Sequence, residues 1–373
     1  MSAPVHYHLD GFPPTNIDWA RLVPLIGRAN AALARYDGLI QAIPNAAVLL
    51  SPLTTQEAVL SSKIEGTNVT MAEVLEIEAG ADGGVSEPKR QDTEEILNYR
   101  RALRAAADEI AHRPLTPHLL RQAHAVLMTG VRGRDKDPGA FRTSQNWIGS
   151  LHAPIERATF VPIPQEHLQS GLDRWAAYAA STTEPDPLVQ LAVLHAEFEA
   201  LHPFKDGNGR LGRMIIPLFL FERKVLSGPN FYMSGYLEAR RDQYIELMRD
   251  VSRSGAWTEW CAFFLEGLIA QASENQTKAQ AIGSLYQSML IQVADLTHSE
   301  HSARVIDFLF RVPVFATTAF SVGAGIPRKA AERFIPLLRK ARILSDVRPA
   351  AGNRAAVVAF NELLDIADGG SPL

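Results

Sequence analysis

The stretch His202-Pro203-Phe204-Lys205-Asp206-Gly207-Asn208-Gly209-Arg210-Leu211-Gly212-Arg213, running directly into the apolar segment Met214 to Phe221, constrains this chain more than any other. It gathers an imidazole, a carboxylate, a glycine-spaced turn and two guanidiniums just before what reads as a buried helix. A turn built on Gly207 and Gly209 lets backbone N–H groups approach an anion, because glycine accepts positive φ and carries no side chain to hold a ligand off. A helix starting near Asn208 leaves its first N–H groups without internal partners and aims the positive end of its dipole at the same spot. Arg210 and Arg213 are three residues apart, hence on one helix face, and present two planar forks to phosphate oxygens. Asp206 is a hard oxygen ligand suited to Mg²⁺ that also touches phosphate. His202 titrates near neutrality and can accept a proton from a hydroxyl.

Taken singly, these residues carry little information. Phe204 reads most simply as a core anchor. A second reading makes His195, Glu199, His202 and Asp206 the ligands of a metal-dependent hydrolase, with His195 and Glu199 one helical turn apart. That reading leaves Asn208, Gly209, Arg210 and Arg213 without a role.

The same stretch resembles the signature of the Fic family, His-Pro-Phe-x-(Asp/Glu)-Gly-Asn-Gly-Arg-x-x-Arg, and matches it at every fixed position. Most of that family transfer AMP from ATP to a Ser, Thr or Tyr hydroxyl of a protein. The resemblance implies His202 as general base, Asp206 as Mg²⁺ ligand and Gly207-Asn208-Gly209 as the phosphate-binding turn. It further implies that Arg210 holds β-phosphate oxygens and Arg213 the γ-phosphate, with Leu211 and Gly212 between them in the nucleotide site. Ser61-x-x-x-Glu65-Gly66 resembles the inhibitory motif that lies N-terminal to the catalytic domain in one class of Fic proteins. The resemblance implies that Glu65 pairs with Arg213 and keeps the triphosphate from lying productively; a carboxylate bound to that guanidinium occupies its donors and repels phosphate. Some relatives use this glutamate to remove AMP again, and others transfer UMP, phosphocholine or phosphate.

The composition is that of an ordinary soluble globular chain, 46% hydrophobic and 21% charged with a formal net charge of −4. The single cysteine, Cys261, excludes an intramolecular disulfide. Residues 1–15 lack the basic cluster and apolar core of a signal peptide, and no apolar run approaches bilayer length, so the expected location is cytoplasmic, with no membrane partner. Residues 301–354 carry ten Lys/Arg against three Asp/Glu, which sets the C-terminal part apart in charge.

The spacing predicts a mainly α fold: a Fic-type helical core with a small β-hairpin flap, an N-terminal helical region over 1–115, a catalytic domain over 116–270, a connector helix over 271–300 and a winged-helix-like domain over 301–373. A first helix is expected from Ile17 to Tyr36, stopped at Gly38, and one capped by Thr54 or Thr55 ends at Gly66. Further helices run from about Lys89 to His112, from Thr116-Pro117 towards Gly130, and from Asp186-Pro187 to Leu201. Pro217 should kink the helix that starts at Asn208. Trp147-Ile148 and Thr159-Phe160-Val161 flank a polar turn, and the hairpin resembles the family's flap, which aligns a target by strand addition. Tyr232, Tyr236 and Tyr244 bracket a helix from about Leu237 to Val251; the resemblance implies nucleotide contact for Tyr236 and Tyr244, while core packing fits them equally well. Trp257 to Ile269 reads as one helix and Asn275 to Leu296 as the connector. Helices at Ala303–Phe310, Thr317–Val322 and Arg328–Ala341, then two strands across Ala351-Gly352-Asn353, resemble a winged helix. Its basic charge suits DNA or, equally, a protein-contact or dimer surface.

These features lead to the expectation of an ATP- and Mg²⁺-dependent protein adenylyltransferase, restrained by Glu65, acting on a protein hydroxyl and on itself, and forming a homodimer by default. A DNA-binding regulator with a nucleotide-sensing core is the expectation from a different class.

Overall fold

The computed structural model describes residues 3–43, 45–81, 83–130, 134–149, 154–352 and 354–369, and the side chains of all of these except 47 and 134. Its helices are α1 (Trp19–Ala42), α2 (Ala46–Leu49), α3 (Ser51–Ile64), α4 (Met71–Glu78), α5 (Glu87–Ile110), α6 (Pro117–Leu127), α7 (Leu168–Ala180), α8 (Pro187–Leu201), α9 (Asn208–Glu222), α10 (Ser234–Ala239), α11 (Arg241–Ser254), α12 (Trp257–Thr297), α13 (Ser302–Arg311), α14 (Phe320–Gly323), α15 (Arg328–Lys340) and α16 (Asn361–Asp368). The short strands are β1 (Val5–His6), β2 (Phe160–Val161), β3 (Val314–Ala316), β4 (Ser345–Arg348) and β5 (Val357–Ala359). The fold is mainly α. Among the described residues no helix is long and apolar enough to cross a membrane.

Helix α8 is apolar nearly all round and is buried on every face, as a helix without a polar stripe must be. Asp186 starts it, its Oδ1 accepting from the N–H groups of Leu188 and Val189 at 2.8 and 3.2 Å, and Pro187 takes the first helical position, where its missing donor costs nothing. Buried indoles fasten its middle: Trp260 donates to the Ala192 carbonyl at 2.7 Å and Trp175 to that of Leu194 at 2.9 Å. Helix α9 packs against it and is buried over most of its length. Together they carry the two ends of the signature stretch.

The chain divides into two units, with the division falling inside α1, α3, α5 and α12. The first comprises the residues through Asp37, Leu60–Gly66 and Leu97–Ser273, and contains α6 to α11 with β1 and β2. There β1 pairs in parallel with β2, Val5 opposite Phe160 and His6 opposite Val161. Its neighbours Tyr7 and His8 bind one fully buried carboxylate on α8: Tyr7 donates to Glu197 Oε1 at 2.7 Å, and His8 Nε2 lies 2.9 Å from Oε2. The flap pairing is short: Ile148 bridges antiparallel to Phe160, with the Thr159 N–H donating to the Ile148 carbonyl at 2.7 Å. Its turn, 150–153, lies outside the described residues.

The second unit comprises Gly38–Val59, Thr67–Ile96 and the residues from Glu274 onward. Its antiparallel sheet has the order β3-β5-β4, with Phe315 opposite Val358 and Asp346 opposite Val358 on the other side. The rings of Phe308, Phe315 and Phe320 meet within 5.0 to 5.6 Å. Helix α4 opens on a capping box in which Thr70 and Glu73 satisfy each other's backbone donors.

Several boundaries differ from the sequence expectation. Helix α1 continues through Gly38 to Ala42, since packing overrides the roughly 1 kcal/mol that an interior glycine costs. Helix α3 begins at Ser51 and tolerates Pro52 in its first turn, so Thr54 and Thr55 are interior residues and not caps. Thr55 Oγ1 instead donates back to the Ser51 carbonyl at 3.3 Å. Helix α9 runs on past Pro217 to Glu222. The helix expected around Leu237 is two helices joined at Arg240, and the two expected beyond Trp257 are one of 41 residues. The strand β3 and the closing helix α16 were not anticipated; of the expected C-terminal turn, Asn353 lies outside the described residues.

Candidate active site

His202 closes α8 in the left-handed conformation, φ 46° and ψ 59°, which turns the chain sharply out of the helix. Its Nδ1 lies 3.3 Å from the Glu199 carbonyl, an acceptor only. Nδ1 therefore carries the proton, and Nε2 keeps a lone pair. Burial pushes the imidazole down to about 4, so it is neutral at neutral pH.

The turn that follows is held from within. The Asn208 side chain accepts from the Phe204 N–H and donates to the Phe204 carbonyl, both at 2.9 Å. Gly207 has φ 75°, and a Cβ there would sit 2.9 Å from Met128 Sδ, so both backbone and space demand glycine. Gly209 is helical and has a different reason: an added Cβ would lie 2.1 Å from Glu65 Oε1. Of the two glycines, only Gly207 thus uses the positive φ expected of both. Asp206 stands at the rim with its side chain 48% exposed, its Oδ1 accepting from the Gly207 N–H at 2.5 Å and lying 3.6 Å from Arg210. Beneath it the Gly139 N–H donates to His124 Nδ1 at 2.9 Å, which leaves Nε2–H to donate to the Asp206 carbonyl at 3.0 Å. His124 stacks on Phe204 at 3.8 Å, and burial pushes it down to about 4.

Arg213 is 2% exposed, and α3 takes up its donors. Nε donates to Ser61 Oγ at 2.9 Å, while Nη2 donates to the Ser61 carbonyl at 2.8 Å and to Glu65 Oε1 at 2.6 Å. Burial raises the Glu65 carboxyl, but the charge and hydrogen bond of Arg213, joined by Arg210 and His202, outweigh it and hold the group below the usual glutamate value. Gly66 follows with φ 104°, and Arg241 donates to the Ile64 carbonyl at 2.9 Å, fixing the helix end. Glu65 therefore meets Arg213, as the resemblance to the inhibitory motif implied.

The description "Fic/DOC family N-terminal" matches residues 23–108 and "Fic/DOC family" matches residues 114–220, together more than half of the chain. The chain belongs to the Fic family. Protein adenylyltransferase fic-1 of Caenorhabditis briggsae is 29% identical over 86 residues, which are 22% of this chain and 15% of that protein. The chain thus spans only a small part of the curated relatives it matches. A crystal structure of a Fic family protein from Desulfovibrio desulfuricans G20 covers 93% of this chain and 98% of its own, with a TM-score of 0.58 at 19% identity. A Fic domain containing signaling protein from Bacteroides thetaiotaomicron covers 69% and 97%, with a TM-score of 0.54 at 17% identity. Both likenesses are of fold.

Within this Fic core, the residues read from the sequence divide into a rim and a backing. His202, Asp206, Gly207, Gly209, Arg210, Arg213, Ser61 and Glu65 converge as described, while Leu211 is fully buried in the α9 packing and Gly212 lies against Glu199. Tyr236 packs on Phe263, and Arg240 lies over its ring at 4.2 Å. Tyr244 is behind Arg213: its hydroxyl is 2.8 Å from His195 Nε2. Because His195 Nδ1 meets the Gly212 carbonyl at 3.0 Å and must donate to it, Tyr244 O–H donates to Nε2. With both ring nitrogens engaged, His195 is no metal ligand, and among the described residues no cluster of three or more metal-binding side chains exists. The four-ligand metal reading is thereby corrected.

Sequence reasoning missed His124, Arg142 and Asn146, and considered Glu199 only as a metal ligand. Glu199 buries an Oε1 with no hydrogen-bond partner, and burial pushes its carboxyl up to about 8. Arg142 and Asn146 bind the carbonyls around His202, from a segment between α6 and β2 that shows no helix or strand periodicity. A lone carboxylate such as Asp206 suits Mg²⁺ only with phosphate oxygens completing the shell.

Proposed function

We propose that this Fic protein is an adenylyltransferase that moves AMP from ATP to a hydroxyl of a protein, itself included, and is restrained by Glu65. The observation that carries the reading is Arg213 bound to Glu65 at 2.6 Å beside an imidazole whose Nε2 is free of its proton. Nε2 of His202 takes the hydroxyl proton as that oxygen bonds to the α-phosphorus. The bond from that phosphorus to the bridging oxygen breaks, and pyrophosphate leaves in line. The N–H groups at the N-terminus of α9 and the Arg210 guanidinium neutralise phosphate charge. Mg²⁺, held by Asp206 with phosphate oxygens, supplies further neutralisation when bound. Arg213 serves the terminal phosphate only after Glu65 releases it, so the form described is the restrained one. The flap strand containing Ile148, whose own N–H and carbonyl are bound to Phe160 and Thr159, would take an extended target segment along its other edge.

Incubation with α-labelled ATP tests this. The native protein should label itself weakly, Glu65→Gly at least about tenfold more, a change of about 1.4 kcal/mol, and His202→Ala not at all. Labelling indifferent to Glu65→Gly removes the restraint, and label arriving only from γ-labelled ATP replaces adenylyl with phosphoryl transfer. Release of AMP from labelled protein on adding pyrophosphate-free native enzyme would instead favour the reverse use of Glu65.

A further inference from the structure

Arg142 is among the largest fully buried side chains of the molecule, and none of the acceptors its guanidinium reaches is a carboxylate. Nε donates to the His202 carbonyl at 3.1 Å. Nη1 donates to the Ser144 carbonyl at 3.1 Å and to Gln165 Oε1 at 2.9 Å, and Nη2 to the carbonyls of Ile163 at 2.5 Å and Leu201 at 3.4 Å. The Arg142 N–H donates to the Pro203 carbonyl at 2.8 Å. Asn146 Nδ2 adds bonds to the carbonyls of His202 at 3.4 Å and Phe204 at 3.1 Å. Every carbonyl from Leu201 to Phe204 is therefore bound from this one segment.

Burying a cation among neutral dipoles is unfavourable, and here burial pushes the guanidinium down to about 10. What the charge holds is the negative end of the α8 dipole and the peptide of a non-glycine residue in the left-handed region, a conformation that costs about 1 kcal/mol or more and persists only when its surroundings impose it. The side-chain direction of His202 follows from that backbone. Released, the residue would relax towards helical or extended geometry, and Nδ1 would lose the Glu199 carbonyl that fixes the tautomer.

We infer that Arg142 is the positioning residue for His202, its planar fork holding the Leu201 and His202 carbonyls so that Nδ1 keeps the proton and Nε2 remains the acceptor. A lysine supplies the charge without the fork and replaces only part of this. The assignment rests on the reading of His202 as the base.

The test uses the full chain in a Glu65→Gly background, with Arg142→Met, Arg142→Lys and Asn146→Ala added singly. The kcat and the ATP dissociation constant are measured, together with the tautomer of His202 in ¹⁵N-histidine-labelled protein, assigned through His202→Ala. Arg142→Met should lower kcat about 100-fold, the cost of a misplaced catalytic group, while ATP affinity stays within about twofold. Its His202 ring should become a mixture of tautomers, and Arg142→Lys should recover part of both. If Arg142→Met does not fold, Arg142→Lys and Asn146→Ala carry the test, each with a smaller shift in the same direction. An unchanged ring signature or an unchanged kcat in the folded variants overturns the inference. If Glu65→Gly alone transfers nothing, the adenylyl-transfer reading fails, and the ring signature still decides the positioning.

Discussion

Glu199 is a residue whose chemistry is sharply set by its surroundings. Its carboxyl stays protonated up to about 8, while a glutamate in the unfolded chain ionises near 4.5. Between those values the folded state binds more protons than the unfolded one, so stability falls as pH rises through that window. Glu199→Gln should remove this slope and stabilise the protein at pH 8 by a few kcal/mol at most; thermal midpoints of both proteins from pH 5 to 8 check it. An unchanged slope would place the ionised form in the fold. The Glu65 pair has the opposite sense: its folded value is depressed, so its contribution is present above the ordinary glutamate range and is lost only as pH falls below it. Changes around neutrality therefore leave the Glu65–Arg213 pair charged on both sides. At this scale the sequence was informative wherever residue type alone specifies the chemistry, as with His202, Asp206 and the two arginines. It was silent on Arg142, because a buried arginine bound to carbonyls leaves no local pattern, and it left Tyr244 between nucleotide contact and core packing, because the hydroxyl's partner His195 lies far along the chain.

Among elements, the helices with a cap and a proline at the first turn were legible, and α8 depends on its cap. Asp186 also accepts from Asn30 Nδ2 at 3.2 Å. Asp186→Ala should cost about 1 kcal/mol, seen as a drop of roughly 2 °C or more in the melting midpoint, with ATP affinity unaltered. A larger change in affinity than in melting would mean that the cap shapes the site directly. The joins were less legible for a physical reason: Gly38 lies inside α1, and the expected break between Ile269 and Asn275 inside α12, because local propensity is a weak prior that tertiary context overrides. Strand β1 escaped notice because two residues form no period and its partner lies far along the chain.

Among the described residues, burial pushes three imidazoles well below the ordinary value, His124 and His202 down to about 4 and His195 to about 3. Each must gain a proton on unfolding below the ordinary histidine value of 6.5, so stability should decline from there towards pH 4. The three together contribute a slope approaching about 4 kcal/mol per pH unit, against which Glu199 works by about 1.4. Denaturant midpoints between pH 7 and 5 measure it, and a flat profile would mean that the rings are charged in the fold. The last consequence concerns Ser61, which holds Arg213 by two bonds that do not involve the glutamate. Removing the acid leaves the guanidinium still socketed and aimed, with little orientational entropy left to lose when a phosphate arrives. On the function proposed above, activation would amount to vacating a seat already shaped for its next occupant.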